Sequence, residues 1–321
     1  MAVTAHLTGY FDLKTLYYNS GAMLSTAIIF ADSVAVVVYL ESVRSGRCRP
    51  TATYFPHDFV MGRYLNPRIG SVDLKMVAEV RVSWLLLFAL DASAALVLRE
   101  KVGYVTYRMW VVLLIHGLYT NACMKGEESI PYTWDIFHER WGWMLIYWNL
   151  AGVAFAYTFN GRFLSERDDL DDLQPAVFWA LVICVLAAYW VFDEANAQKN
   201  RFRARQMSGA YVTRPWALPQ LPNATIENPR FLRTERGSTL LVDGWWRYVR
   251  KPHYAADLCL AVLLCLPCGF GHFLPYFFAC FFLPMLVHRE IRDTQRCSVK
   301  YGKDWEEYTA LVPYILIPGI Y

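Results

Sequence analysis

Long apolar segments recur along the chain and constrain its fold more than any other feature. A helix that crosses the hydrocarbon core of a bilayer needs about 20 mainly apolar residues. Segments of this kind occupy residues 21–40, 82–98, 109–123, 141–159, 176–192, 257–270 and 273–287. Because backbone groups in lipid must be satisfied within their own segment, the pattern predicts an all-α, polytopic transmembrane helical bundle with about seven spans.

The composition agrees with a membrane protein. Charged residues make up 18% of the 321 residues, below the roughly 25% usual for soluble domains.

Gly269, Gly271 and Pro275 interrupt the last two apolar segments, which predicts a carboxyl-terminal helical hairpin. The first twenty residues have no basic region before a short apolar core, so we expect no cleavable signal and assign targeting to the first span.

Basic residues gather in the connections 44–81 and 194–256 and in the tail that follows residue 288. Positive residues accumulate on the cytoplasmic side of membranes, so these segments are predicted to be cytosolic. The net charge of +3 gives no general basic field, which argues against nucleic acid as a partner. No cysteine and histidine spacing is typical of a zinc site, and we expect no metal.

Three polar blocks near the carboxyl end carry candidate chemistry. Lys199 and Arg203 are four residues apart, so a helix would place both cations on one face, where they suit a phosphate; membrane orientation alone would also explain them. Residues 240–257 mix paired tryptophans, cations, a histidine and a carboxylate, and residues 288–308 are similarly mixed. Together these blocks predict a pocket for a large anionic ligand with aromatic rings, such as a dinucleotide, without a Rossmann glycine motif.

The same blocks resemble the sterol reductases, which include the delta-14, delta-7 and delta-24(28) reductases and the lamin B receptor. The resemblance covers about residues 15–321 and includes L-N-P-R-I-G at 65–70, the tryptophan block at 241–257 and H-R-x-x-R-D at 288–293. Residues 61–84, 121–128 and 134–137 are most similar to the fungal delta-24(28) branch of ergosterol biosynthesis. His253 stands where the delta-14 branch has asparagine.

The resemblance implies one sterol reductase membrane domain over 1–321, with a cofactor half from about 194 to 321 and with one or two amino-terminal spans of the family missing. It implies an NADPH-dependent oxidoreductase acting on a carbon–carbon bond, in the endoplasmic reticulum membrane as a multi-pass protein. The implied partners are a sterol substrate, the lipid bilayer and other enzymes of sterol biosynthesis.

The resemblance also implies site residues. Lys199 and Arg203 would bind the 2′-phosphate of NADPH. The other implied cofactor contacts are Leu241, Trp246, His253, Tyr254, Asp293, Cys297, Ser298, Val299, Lys300, Tyr301 and Tyr308.

An isolated alkene must be protonated before it accepts a hydride, so a reductase of this kind needs an acid in a water-poor pocket. The candidate acids are Tyr119, Glu127, Glu128 and Asp293. The family resemblance favours Tyr119 together with Asp293 as the catalytic residues.

Three alternatives stay open at this point. The chain could reduce a delta-14 or delta-7 bond instead of the C-24(28) methylene bond. It could be a non-catalytic sterol-binding membrane protein descended from a reductase. It could also be a membrane methyltransferase that uses S-adenosylmethionine, although the paired cations Lys199 and Arg203 favour a phosphorylated cofactor.

Overall fold

A computed structural model describes residue 9, residues 11–125, residue 130, residues 133–206 and residues 225–321. In these parts of the chain the backbone is mainly helical, with two short antiparallel strand pairs. The chain divides into two compact units, Met1–Gln174 and Pro175–Tyr321. Each unit is described by itself.

The first unit is a helical bundle. Its described helices are α1 (Lys14–Tyr18), α2 (Ser20–Ser45), α3 (Phe55–Met61), α4 (Leu74–Met76), α5 (Trp84–Val102), α6 (Tyr107–Lys125), α7 (Trp134–Phe137), α8 (Trp143–Tyr147), α9 (Val153–Ala156) and α10 (Phe159–Glu166). Strands β1 (Arg68–Ile69) and β2 (Val72–Asp73) pair in a short hairpin.

The long helix α2 presents large apolar side chains outward. Ile29 and Val37 are more than 60% exposed, whereas the small residues Ala31 and Ala35 are buried. The small face packs on a cluster that includes Trp141, because short side chains let two helix backbones approach closely. A helix with large apolar side chains on its outer face is suited to contact with lipid.

Two π-helical stretches interrupt the other helices of this unit. Val77–Ser83 joins α4 to α5, and Trp148–Gly152 joins α8 to α9. The Ser83 hydroxyl donates to the carbonyl oxygen of Asn149 at 2.5 Å and to that of Ala78 at 2.9 Å. The hydroxyl therefore links the two places where the regular hydrogen-bond pattern is broken.

The second unit is built on one long helix and a hairpin. Its described elements are α11 (Pro175–Gln206), β3 (Phe231–Arg233), β4 (Thr239–Leu241), α12 (Pro252–Cys265), α13 (Phe277–Tyr301) and α14 (Lys303–Leu311). Between α12 and α13 the chain turns at Gly269, which has a φ of 71°. The Tyr276 hydroxyl donates to the Gly269 carbonyl oxygen at 3.1 Å and closes this turn, at the break that the sequence predicts.

Four helices are long and apolar enough to cross a membrane among the residues that the structure describes: Ser20–Ser45, Leu74–Val102, Pro175–Gln206 and Leu274–Tyr301. The apolar helix Pro252–Cys268 is shorter. The helical class of the prediction is thus supported, and the number of about seven spans is not confirmed. In the segment 141–159, predicted as one span, the helix runs without a break from Trp143 to Ala156 and includes the π-helical stretch Trp148–Gly152.

Candidate functional site

The last turns of α11 hold the paired tryptophans in place. The ring nitrogen of Trp245 donates to Glu194 Oε2 at 2.8 Å, and its backbone nitrogen donates to Gln198 Oε1 at 3.0 Å. The ring nitrogen of Trp246 donates to the carbonyl oxygen of Ala195 at 2.9 Å. Both indoles have acceptors on one helix, so they form a fixed wall and not a loose interfacial belt.

Gly244 and Asp243 make this docking possible. Gly244 has a φ of 59°, and a Cβ atom there would collide with the side chain of Gln198. The Asp243 carboxylate accepts hydrogen bonds from the backbone nitrogens of Arg230 at 3.0 Å and of Gly244 at 2.8 Å. These bonds, the one from Arg230 first, hold the pKa of the Asp243 carboxyl below its ordinary value despite partial burial.

A cation and three rings follow one another at this wall. Lys199 Nζ lies 4.2 Å from the ring centroid of Trp246. The Trp246 and His253 centroids are 5.1 Å apart, and those of His253 and Tyr254 are 4.3 Å apart. In the part of the chain that the structure covers, the buried Nδ1 atom of His253 has no hydrogen-bond partner. The arrangement offers flat apolar surfaces, one cation and one unsatisfied polar atom to a ligand.

Lys251 and Asp293 form an ion pair beside these rings. Lys251 is 8% exposed. Burial is the largest single influence on the pKa of Lys251 and lowers it, but Asp293, Tyr254 and Cys297 together bring this pKa above its ordinary value. The Cys297 thiol lies one helical turn after Asp293, with its Sγ atom 3.9 Å from Asp293 Oδ1.

The charges around the pair are predominantly positive. Lys199 interacts electrostatically with Arg203, Lys251 and Asp293. The His253 ring interacts electrostatically with Lys199, Arg203 and Lys251 and also with Arg289. Lys199, Arg203, Lys251 and Arg289 thus all act on the His253 ring, and an anionic ligand is the kind that such a field attracts.

Tyr308 forms a second wall. It is buried in a cluster with Leu232, Trp305 and Val312, against which Cys297 and Tyr301 pack. Burial raises the pKa of the Tyr308 phenol above its ordinary value, so the side chain is neutral at physiological pH. Leu241 packs with Phe202 and Trp246 in a separate small cluster.

The structure does not bring every predicted contact to this place. Asp293, Cys297 and Tyr301 are four residues apart in succession and share one face of α13. Ser298, Val299 and Lys300 lie between them in sequence, and all three are exposed, Val299 by 84%. As cofactor contacts, these three stay predictions.

Sequence reasoning missed Lys251, Gln198 and Glu194 as site residues. Gln198 and Glu194 are four residues apart on the helix that carries Lys199, so they share one face of it, and this spacing is a sequence signal for the pair. Lys251 directly precedes the Pro252-His253 pair at the start of α12, but its partner on another helix has no local sequence signal.

The other predicted catalytic residue, Tyr119, belongs to the first unit. It lies on α6, is 8% exposed and stacks on Trp84 with ring centroids 5.5 Å apart. One turn earlier, His116 bonds through Nδ1 to Asp91, and both side chains are buried. Glu127 and Glu128 lie outside the described residues. Because Tyr119 and Asp293 are in different units, their catalytic pairing stays a prediction.

The fold and the site together define a helical protein of membrane type with a cationic binding site walled by aromatic rings. The chain belongs to the ergosterol biosynthesis ERG4/ERG24 family, whose model matches residues 1–321. The comparison confirms the family resemblance that the motifs indicate.

Three relatives illustrate the range of this family. The chain is 42% identical to a Delta(24(24(1)))-sterol reductase of Gibberella zeae over 317 residues, which is 98% of this chain and 53% of that protein. It is 41% identical to a Delta(24(24(1)))-sterol reductase of Aspergillus fumigatus over 320 residues, 99% of this chain and 67% of that protein. A Delta(14)-sterol reductase of Methylotuvimicrobium alcaliphilum is 35% identical over 98% of this chain and 70% of its own length.

Proposed function

We propose that this chain is a sterol reductase that uses NADPH to reduce the C-24(28) methylene bond of a sterol in the membrane of the endoplasmic reticulum. The observation that carries the cofactor assignment is the position of Lys199 over the Trp246 ring, in a field shared with Arg203 and Lys251. A dinucleotide with an extra phosphate matches a site that has more cations than carboxylates and several flat rings.

Each residue of the site has a distinct part in this proposal. Lys199 and Arg203 bind the 2′-phosphate, because two cations separated by one helical turn can contact the same anion. Trp246, His253 and Tyr254 provide flat surfaces for the rings of the cofactor. Tyr308 and its apolar neighbours keep water away from the far side of the site.

NADPH supplies a hydride when bound, and the chain must supply a proton. Protonation of the terminal carbon of an exocyclic methylene would give a tertiary carbocation, and a bound NADPH would supply the hydride that neutralises it. Asp293 is paired with Lys251 and so is suited to hold negative charge near the carbocation of the substrate. Tyr119 is then the proton donor in this proposal, since its phenol O–H can donate.

A substitution of Tyr119 tests this role. Tyr119→Phe removes the hydroxyl and keeps the ring that stacks on Trp84. We expect product formation to be lost while NADPH binding is retained. Unchanged turnover in this variant would remove Tyr119 from the mechanism.

The proposal for the substrate rests on the two fungal relatives, which are named Delta(24(24(1)))-sterol reductases. The chain spans only 53% of the length of the first, so activity must be measured on this chain itself. Expression in cells that accumulate 24-methylene sterols, followed by sterol profiling, should show conversion to the 24-methyl product. Unchanged sterols with normal expression would favour a non-catalytic sterol-binding protein.

Reduction of the delta-14 bond is the second candidate, because a Delta(14)-sterol reductase is 35% identical over nearly the whole chain. Membranes incubated with NADPH and either a delta-14 or a 24-methylene sterol would separate the two by product mass and retention time. Omitting NADPH, or replacing it with S-adenosylmethionine, controls for the methyltransferase alternative.

A further inference from the structure

A cavity of about 430 Å³ lies in the first unit, where the connection after α2 leads into α3. It is lined by Tyr39, Pro50, Thr51, Ala52, Thr53, Tyr54, Phe55, Asp58 and Arg63. The helix α2 is one of those apolar enough to cross a membrane, and it ends at Ser45. A cavity just beyond the end of such a helix lies at the level of lipid headgroups.

The cationic group of the cavity is Arg63, and the buried carboxylate of Asp58 holds it in place. Asp58 is 2% exposed and accepts hydrogen bonds from Arg63 Nε at 2.6 Å, the Thr51 backbone nitrogen at 2.6 Å and the Tyr39 hydroxyl at 3.0 Å. Burial raises the pKa of Asp58, but these three bonds together bring it below its ordinary value. Asp58 is thus a charged and fully occupied acceptor that fixes Arg63.

Fixing Arg63 leaves part of its guanidinium available. Its Nε atom is bound to Asp58, and its Nη2 atom lies 3.4 Å from the Tyr39 hydroxyl. Among the described residues, its Nη1 atom has no hydrogen-bond partner. A planar guanidinium held from behind by a carboxylate is prepared to bind a phosphate with its outer N–H groups.

The residues around the cavity indicate which kind of phosphate-containing ligand it fits. Tyr54 and Phe55 line the cavity with rings that are 60% and 63% exposed, as aromatic residues at a membrane interface are. Between residues 41 and 63 four arginines stand against two carboxylates, and three of these arginines, Arg44, Arg47 and Arg49, are exposed. A basic segment next to a span attracts anionic lipids.

We propose that this cavity binds the phosphate of an anionic phospholipid, with Arg63 as the phosphate ligand and the Thr53 hydroxyl as a second donor. The exposed rings of Tyr54 and Phe55 contact the glycerol and the first acyl carbons. The site is independent of the proposed reductase chemistry, and its occupant is a constituent of the membrane and not a substrate.

Native mass spectrometry of the full chain in detergent, titrated with dioleoyl phosphatidic acid, tests the proposal. We expect one retained lipid and about tenfold weaker binding in Arg63→Gln, since a charged hydrogen bond contributes about 1.5–3 kcal/mol. Arg68→Gln is the matched control, because it removes the same charge from the same connection at an exposed side chain outside the cavity. Equal affinity of the wild type and Arg63→Gln would overturn the proposal.

Arg63→Gln also breaks the bond to Asp58, so a second variant protects the test against misfolding. Thr53→Val leaves the ion pair intact and should weaken phosphatidic acid binding several-fold; an unchanged affinity in this variant would contradict the assigned geometry. Glycerol 3-phosphate and inorganic phosphate serve as soluble probes. If either raises the thermal midpoint as much as phosphatidic acid does, the site binds soluble phosphate and the lipid assignment is wrong.

Discussion

Lys251 and Asp293 form a partly buried ion pair that connects the start of α12 to the second half of α13, although 42 residues separate them in sequence. The backbone of this region is held independently, because the Lys251 nitrogen donates to the Ile315 carbonyl oxygen at 2.9 Å. Lys251 therefore connects three segments of the second unit, α13 through its side chain and the segment at Ile315 through its backbone.

Asp293→Asn should destabilise the chain and weaken cofactor binding together. Removing one partner leaves the other charge uncompensated, which costs about 3–5 kcal/mol in a fully buried pair. The cost here is smaller, because the Asp293 side chain is 23% exposed and water screens the remaining charge. The expected result is a lower thermal midpoint by tryptophan fluorescence and a higher Kd for NADPH. The double variant Lys251→Met/Asp293→Leu should recover most of the lost stability without recovering NADPH binding. A double variant as unstable as Asp293→Asn would show that the loss does not come from the orphaned lysine.

The raised pKa of Lys251 predicts a pH dependence at the alkaline end. A lysine whose folded pKa exceeds its unfolded value of about 10.4 stabilises the fold fully below that value and loses this contribution as pH rises through the folded pKa. The thermal midpoint of the wild type should therefore fall more steeply above about pH 10 than that of Lys251→Met. Parallel curves for the two proteins would contradict the assignment.

Lys199 and Arg203 should decide between NADPH and NADH. Lys199→Ala is expected to weaken NADPH binding about tenfold and NADH binding much less, because only NADPH has the 2′-phosphate. Arg205→Ala is the control on the same helix, since Arg205 donates to the Ile226 carbonyl oxygen at 3.0 Å. Equal losses for both cofactors in Lys199→Ala would place the lysine elsewhere on the dinucleotide.

The sequence predicts some parts of this structure well for a physical reason. A span in lipid must be apolar over most of its length, so α2 and α11 are visible as uninterrupted runs. The π-helical stretch within residues 141–159 is not visible, and its Asn149 carbonyl oxygen accepts from the hydroxyl of Ser83, which is 66 residues away in sequence. Non-local hydrogen bonds leave no periodic trace in the sequence.

The candidate site shows the same limit. The tryptophan block and the paired cations could be identified because each is a local pattern. The sequence predicts contacts from the whole stretch 297–301, and on α13 Cys297 and Tyr301 share a face while Ser298, Val299 and Lys300 are exposed. Lys251 was missed because its significance comes from Asp293, a residue on a different helix.

Gly244 offers a test of the wall itself, with a matched control in the same unit. Gly244 and Gly237 both have positive φ values, 59° and 79°, so an alanine at either position costs about 1–2 kcal/mol of backbone strain. A Cβ atom at Gly237 meets open space, whereas at Gly244 it meets the Gln198 side chain that accepts from Trp245.

Gly244→Ala should therefore lower the thermal midpoint more than Gly237→Ala, and it alone should weaken NADPH binding, since the clash displaces the tryptophan pair from α11. Tryptophan fluorescence followed during heating gives the thermal midpoint, and its quenching by NADPH at fixed temperature gives the affinity. If the two alanine variants bind NADPH equally well, the docking of Trp245 and Trp246 on α11 is not what shapes the cofactor site.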